Sequence, residues 1–384
     1  MKISSIHILF LILIYPFFYL SSYIAFDIGY LFAVYYFIPI TFFCIILNFR
    51  KIPVDIFKKN IVNFGLLAAI IVVVLFNTDD IRYSKPIVFF IFVLNFYILS
   101  LTLEFKVNNK LIQSLFVVLL LFSVIFLSIE ERYLDGDRYF AFLISPTVYS
   151  VYTEVFLILF LCFSKKPQLK IVVFFIAGFF ILLTKTRLNL FFYLTIPFMI
   201  YYFDKLNISK FRVVLIYIFC LNLLYPIYSF VIKSEAGKSS LVTSRYKDGR
   251  DASFGLRNSL NSFTYNEYIL NSTLSQKIFG KGSEASRKSM ISQLKMDILP
   301  HNDFIRFSLD FGLLCTILYL TFLFRIARGN IVSFILLLLY LFSFYHNMIY
   351  DFFLIAVFIY FSGLSENYKL KEQILIVENN DSTY

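Results

Sequence analysis

The chain has 384 residues, 60% of them hydrophobic and 21% aromatic, with only 15% charged and a mean hydropathy of +0.79. That balance excludes an ordinary soluble domain. The formal charge of +11 does not indicate a nucleic-acid partner, because most of the 35 Lys and Arg residues mark the ends of apolar segments.

Runs of the ~20 apolar residues needed to cross ~30 Å of hydrocarbon recur throughout, which predicts an all-α integral membrane protein rather than a barrel, whose strands would alternate. In chain order, hydropathy predicts about twelve spans, near residues 4–24, 29–48, 61–77, 85–104, 111–129, 139–163, 171–184, 188–203, 212–232, 304–324, 331–345 and 351–363. The first run lacks a small-residue cleavage pattern and another span follows at once, so it reads as a retained helix rather than a signal peptide. Cys44, Cys162, Cys220 and Cys315 stand singly in apolar stretches, without CxxC or Cys/His metal spacing.

Alternate connections are basic. Arg50, Lys51, Lys58 and Lys59, Lys106 and Lys110, Lys165, Lys166 and Lys170, Lys205, Lys210 and Arg212, and Arg325 and Arg328 fall on one side, joined by Lys2, Lys369 and Lys371. The short loops of the other side hold Arg82, Lys85, Arg132, Arg138, Lys185 and Arg187. Seventeen basic residues against six predict a cytoplasmic N-terminus and C-terminus. The remaining 12 basic residues lie in one long segment between the ninth and tenth spans, which this topology turns outward. The expected organisation is therefore residues 1–232 with nine helices, an external segment 233–303, residues 304–363 with three helices, and a cytoplasmic tail 364–384. A long connection in a compact fold is usually functional, so the external segment is where function is sought first.

Within it, "KSEAGKSSLVTSRYKDGRDASFGLRNSL" carries Arg245, Arg250 and Arg257 among other bases. Guanidinium groups bind phosphate oxygens bidentately, so a basic concavity here suits phosphate or pyrophosphate; the plainer alternative is a solvated hydrophilic loop. "AGKSS" lacks the upstream glycine and the preceding strand of a P-loop. "IFGKGSEASRK" sets Gly280 and Gly282 around Lys281, where backbone amides could approach an anion, or where the chain simply turns.

"PHNDFIRF" follows. Pro300 suits the first turn of a helix, which puts His301 and Asn302 at the positive end of the tenth span. His301, Ile305, Ser308 and Gly312 then share one face, with Asp303, Arg306 and Asp310 on an adjacent one. Either His301 is a general base beside a bound phosphate, with Asn302 and Arg306 as ligands, or His301 and Asn302 merely cap the helix and Arg306 pairs with Asp310. "LLTKTRLNL" sets Arg187 at the outer interface, where it binds an anion or reaches lipid headgroups. "SPTVYSVYTE" carries Glu154 inside the sixth span, and "YHNMIYDFF" offers a second pair, His346 and Asn347, with Asp351 one turn on. Either His–Asn pair could hold the base.

"LTKTR" ahead of a large external segment, "GKGS" within it and "HNDFIRFSLDFGLL" leading into the next span together resemble the O-antigen ligase and polymerase superfamily, most closely its Wzy-type O-antigen polymerases. "KIFGKGS" departs from that pattern in lacking Pro-Leu before the glycines. The resemblance implies an inverting, metal-independent glycosyltransferase without a cofactor. It would polymerise undecaprenyl-pyrophosphate-linked oligosaccharide units into O-antigen or capsular polysaccharide, a step of lipopolysaccharide or polysaccharide biosynthesis. Its place would be the outer face of a bacterial cytoplasmic (inner) membrane, with a chain-length regulator and a flippase as associated proteins. It implies that Arg187 and a loop arginine such as Arg257 bind the donor pyrophosphate and that His301 deprotonates the attacking hydroxyl. The sibling function is the ligase that transfers the finished glycan to lipid A core or protein. A flippase is the third alternative, but it should show paired broken helices and charges near the midplane of several spans, and only Glu154 and the 184–187 interruption qualify.

Overall fold

A computed structural model of the protein describes residues 5–18, 54–79, 84–102, 107–128, 138–143, 145–202, 252–294, 302–327 and 330–363, with isolated positions in 36–46 and 212–216. Every regular element among them is helical. In chain order these are α1 (Ser5–Ile14, extended by a 3-10 turn Tyr15–Phe18), α2 (Val54–Lys59), α3 (Ile61–Phe76), α4 (Lys85–Thr102), α5 (Asn109–Phe126), α6 (Pro146–Phe163) and α7 (Pro167–Leu183). They continue with α8 (Arg187–Tyr202), α9 (Ala252–Ile269), α10 (Leu274–Phe279), α11 (Ala285–Leu294), α12 (Asp303–Ala327), α13 (Ile331–Ser343) and α14 (Phe352–Gly363).

By length and composition α5, α6 and α12 can cross a membrane; α1 with its turn, α3, α4, α7, α13 and α14 are shorter apolar helices. The protein is thus a helical membrane protein. The spans expected at 29–48 and 212–232 lie almost wholly outside the described residues. The long segment 233–303 is described over 252–294, where it forms α9, α10 and α11.

Local chemistry sets the helix ends. Asn108 caps α5, accepting from Lys110 N and Leu111 N at 3.1 and 3.2 Å. Ser145 caps α6 ahead of Pro146, so this helix starts at residue 146 rather than at the 139 that hydropathy suggests. Thr273 and Gln276 close a reciprocal capping box on α10. Asn330 caps α13 and also donates to Phe361 O at 2.7 Å, tying α13 to the end of α14.

The buried apolar side chains form one continuous core. Helix α6 is buried from Tyr149 to Leu161 and packs against α5, α7, α8 and α13. Helix α12 lies against α3, α9 and α10, and α3 against α4. Near its end Arg325 donates to Asn63 Oδ1 at 2.8 Å, and Asn63 donates to Tyr97 Oη at 2.7 Å. Asn63 begins α3 and Arg325 ends α12, so the two helices run antiparallel, with Asn77 and the start of α12 at the opposite end.

The expectation of one continuous tenth span meets a break at Gly312, whose φ of 85° and ψ of 163° belong to a region open to almost no residue but glycine. Beyond it residues 313–327 extend only roughly 22 Å. The face expected to unite Ser308 and Gly312 is therefore interrupted, and Ser308 Oγ instead meets Thr316 Oγ1 across the break at 2.9 Å.

A break frees backbone carbonyls from their i+4 partners. Lys281 N donates to Leu309 O at 2.9 Å and Gly282 N to Asp310 O at 3.0 Å, while Ser283 N donates to Asn77 O at 2.6 Å. The "GKGS" amides are consumed here, holding the segment 274–286 to α3 and α12, rather than presented to an anion. The crossing is backbone against backbone. A Cβ at Gly312 would lie 2.5 Å from the Ile278 carbonyl carbon and 2.6 Å from Gly280 N, and one at Gly280 would lie 2.6 Å from Phe311 Cα. Gly312→Ala and Gly280→Ala are expected to cost at least ~1–3 kcal/mol of backbone strain each, read as a lowered melting temperature in detergent. Gly65→Ala, at an exposed position of α3 where nothing lies within 4 Å of the new Cβ, should be neutral or slightly stabilising in the same assay.

Candidate functional site

The loops at the Asn77 end of α3 converge on a cluster of charged and phenolic side chains. Arg306 Nη2 lies 2.9 Å from Asp303 Oδ1 one turn earlier on α12, an ion contact rather than an aligned hydrogen bond. Both residues are buried, Asp303 fully. A carboxylate taken from water so completely needs compensation on each oxygen, and Oδ2 accepts from Ile349 N at 2.8 Å. The next residue, Tyr350, offers its ring to two cations: Arg306 Cζ lies 5.6 Å and Lys85 Nζ 5.8 Å from its centroid.

Asp351 completes this side. Its Oδ1 accepts from Leu354 N at 2.8 Å, capping α14, and its Oδ2 accepts from Tyr152 Oη of α6 at 2.9 Å. On the other side Asp310 accepts from Ser286 N at 3.0 Å, fastening α11 to α12. Glu284 lies within electrostatic range of Lys85, Arg306 and Asp310. The cluster therefore sets two cations, Lys85 and Arg306, among the carboxyls of Glu284, Asp303, Asp310 and Asp351. Carboxyls outnumber cations two to one in this mixed-sign network, which suits fixing geometry better than capturing a doubly charged anion.

A second polar seam runs between α6 and α8. Thr184 Oγ1 and Thr186 Oγ1 are 2.6 Å apart, Thr186 Oγ1 donates to Ser150 Oγ at 3.1 Å, and Arg138 Nε donates to Thr184 O at 3.0 Å. Glu154, fully buried, receives Asn189 Nδ2 on Oε2 at 3.5 Å, and its Oε1 has no hydrogen-bond partner among the described residues.

The residues expected from sequence fall out as follows. Asn302 caps α12, accepting from Phe304 N at 3.1 Å and Ile305 N at 3.3 Å. Arg306 pairs with Asp303, not with Asp310. Lys281 Nζ is held by Glu267 Oε1 at 2.7 Å, Asn271 O at 3.1 Å and Glu267 O at 3.4 Å, so its ammonium is engaged within the segment 252–294. Arg187 opens α8, half-buried, beside the hydroxyl seam. His346 ends the 3-10 turn Phe344–His346 against Phe342, with rings 5.8 Å apart, and Asn347 turns left-handed at φ 59°. His301, Arg245 and Arg250 lie outside the described residues; Arg257 lies on α9 with its side chain outside them.

The structure brings Arg306 and Asp351 into one cluster, sets Glu154 in the other seam and places Arg187 directly after Thr186 at the start of α8. Sequence reasoning did not single out Lys85, Tyr350, Tyr152 or Glu284. Lys85 carried a signal, a base set directly before a proline and an apolar run, which also served as a topology marker. Among the described residues no group of three His, Cys, Asp or Glu side chains is disposed to hold a metal ion.

Fold and site together define a helical membrane protein with a buried ionic cluster where its connecting loops meet. Comparison of the chain with family models, with curated proteins and with solved structures returned no match.

Removing one partner of a buried ion pair leaves a charge uncompensated. Arg306→Met is expected to cost ~3–5 kcal/mol, and Asp303→Asn with Arg306→Met to cost less than Arg306→Met alone. Chemical denaturation in detergent measures both; strictly additive losses would mean that the pair is not coupled.

Proposed function

We propose that the protein is a membrane glycosyltransferase that polymerises undecaprenyl-pyrophosphate-linked oligosaccharide units at the outer face of the cytoplasmic membrane, as a Wzy-type O-antigen or capsule polymerase does. On this reading about twelve helices cross the bilayer and both termini are cytoplasmic. The segment 233–303 is then periplasmic.

The observation that carries the reading is the convergence of the loops that charge bias assigns to the outside. Arg138 meets Thr184, Tyr152 meets Asp351, Ile349 meets Asp303, and Asn77 meets Phe279, all at one end of the bundle. Arg325 and Asn63, next to the basic loops assigned to the cytoplasm, meet at the other. The cluster at the outer end holds the first turn of α12, two residues after His301, from two directions: Asn302 caps its amides, and Asp303 and Arg306 grip the 349–350 turn. In this scheme Asp303, Arg306 and Asp351 are positioning residues.

The chemistry is short. His301 takes the proton of the acceptor hydroxyl as its oxygen attacks the anomeric carbon of the donor sugar. The bond from that carbon to the pyrophosphate oxygen breaks with inversion, and undecaprenyl pyrophosphate leaves as an anion stabilised by Arg187 and by Arg245, Arg250 and Arg257 of the outer segment. No nucleotide is consumed, because the leaving pyrophosphate supplies the driving force.

Two relatives of this scheme differ in acceptor or in outcome. A ligase would use the same donor and transfer to lipid A core or protein. A flippase would move the donor unchanged and should need a pair of broken helices; among the described residues α12 alone has a non-helical residue within it.

The test is reconstitution. Purified protein in liposomes given lipid-pyrophosphate-linked repeat units alone should yield a ladder of longer glycans. Transfer seen only after lipid A core is added would favour the ligase, and donor movement without glycosidic bond formation the flippase. His301→Ala and Arg257→Ala should each abolish the ladder while the protein remains monodisperse. A fully active His301→Ala enzyme would sink the base assignment and move it to His346.

A further inference from the structure

The segment 252–294 carries large apolar side chains that no described residue covers. Leu270 and Leu274 are 73% and 74% exposed, and Phe279 is 51% exposed. Turned toward water, a contiguous group of this kind would be costly. On α10 Leu274 and Ile278 stand one turn apart on one side, Phe279 lies next to Ile278, and Gln276 and Lys277 occupy the opposite side.

The height of this helix is fixed by its contacts. Helix α3 ends in Leu75 and Phe76, 50% and 85% exposed, and passes at once into Asn77, Thr78 and Asp79, so the hydrocarbon edge falls between Phe76 and Asn77. Asn77 Nδ2 donates to Phe279 O at 2.8 Å, which sets the end of α10 at that edge. Beside it the Ile278 carbonyl abuts Gly312, and the residues just after Gly312, Leu313 and Leu314, are 48% and 37% exposed on the span. The apolar ledge of α10 is therefore continuous with the lipid-facing surface of α3 and α12.

We propose that this ledge is an interfacial lipid-binding surface, with Leu274, Ile278 and Phe279 set into the boundary between headgroups and acyl chains of a phospholipid bilayer. Its backbone is bolted to the Gly312 break, so the ledge holds the outer segment at a constant depth in the bilayer surface. The inference depends on membrane embedding and not on the enzymatic reading, so either can fail without the other.

The chain contains no tryptophan, so Phe279→Trp creates a single reporter. The full-length variant is reconstituted in vesicles of phosphatidylcholine and phosphatidylglycerol, some containing acyl chains brominated near the headgroup or near the methyl end. Expected are blue-shifted emission, strong quenching by the shallow bromines, weaker quenching by the deep ones and little by aqueous iodide, since an interfacial ring sits roughly 5–10 Å into the boundary. Red-shifted emission quenched by iodide and not by bromines would overturn the proposal. So would blue-shifted emission that neither agent quenches, which would assign the ledge to a protein contact with another part of the chain or a second copy. Should Phe279→Trp fail to yield monodisperse protein, Leu274→Trp on the same side of α10 is read by the same outcomes.

Discussion

A buried backbone carbonyl that loses its helical partner must find another donor, and this one constraint organises the end of the molecule where α12 meets the segment 274–286. The φ of Gly312 interrupts α12 and leaves Leu309 O and Asp310 O without their i+4 donors; the amides of Lys281 and Gly282 replace them. The replacement demands that two chains cross at backbone distance, which is why glycine stands on both, Gly280 on the turn and Gly312 on the span. The segment 274–286 is thereby stitched to α12, and through Ser283 N and Asn77 to α3.

The same stitch determines where the charges meet. Once the break frees the start of α12 from the rest of the helix, Asp303 and Arg306 can face the 349–350 turn, and Asp310 can face α11. Buried charges are tolerated only when paired and hydrogen-bonded, so each contact restricts the others: Asp303 selects Ile349 N and Arg306, Arg306 and Lys85 select the Tyr350 ring, and Asp351 selects Tyr152. The network contributes little net stability relative to apolar packing, but it specifies one arrangement of four chain segments. Such specification fixes the first turn of α12 against the turn at residues 349–350.

Several of these features were legible in the sequence. Hydropathy located α3, α4, α5, α7, α8, α13 and α14 to within a few residues, because apolar runs bounded by polar residues are a local signal. Asn302 as a cap was readable from "PHND", since capping is a contact within one turn. The pairing of Arg306 with Asp303 rather than Asp310 was not, because i,i+3 and i,i+4 partners are equivalent until a third group, here Ile349 N, orients one carboxylate and Ser286 N engages the other. The glycines of "GKGS" were visible as a flexible turn, yet whether their amides face an anion or another backbone depends on a partner some thirty residues away.

By itself the sequence determined that this is a helical membrane protein, where most of its helices run, and that its polar residues gather in a few short motifs. Composition and periodicity are properties of neighbouring residues, and the bilayer's demand for long apolar helices makes them decisive. Only the tertiary structure decided that one helix is broken, what fills the break, and that Lys85, Tyr152, Glu284 and Tyr350 join Asp303, Arg306 and Asp351. Those choices rest on satisfying buried backbone and charged groups with partners far along the chain, and no local pattern encodes which distant donor arrives.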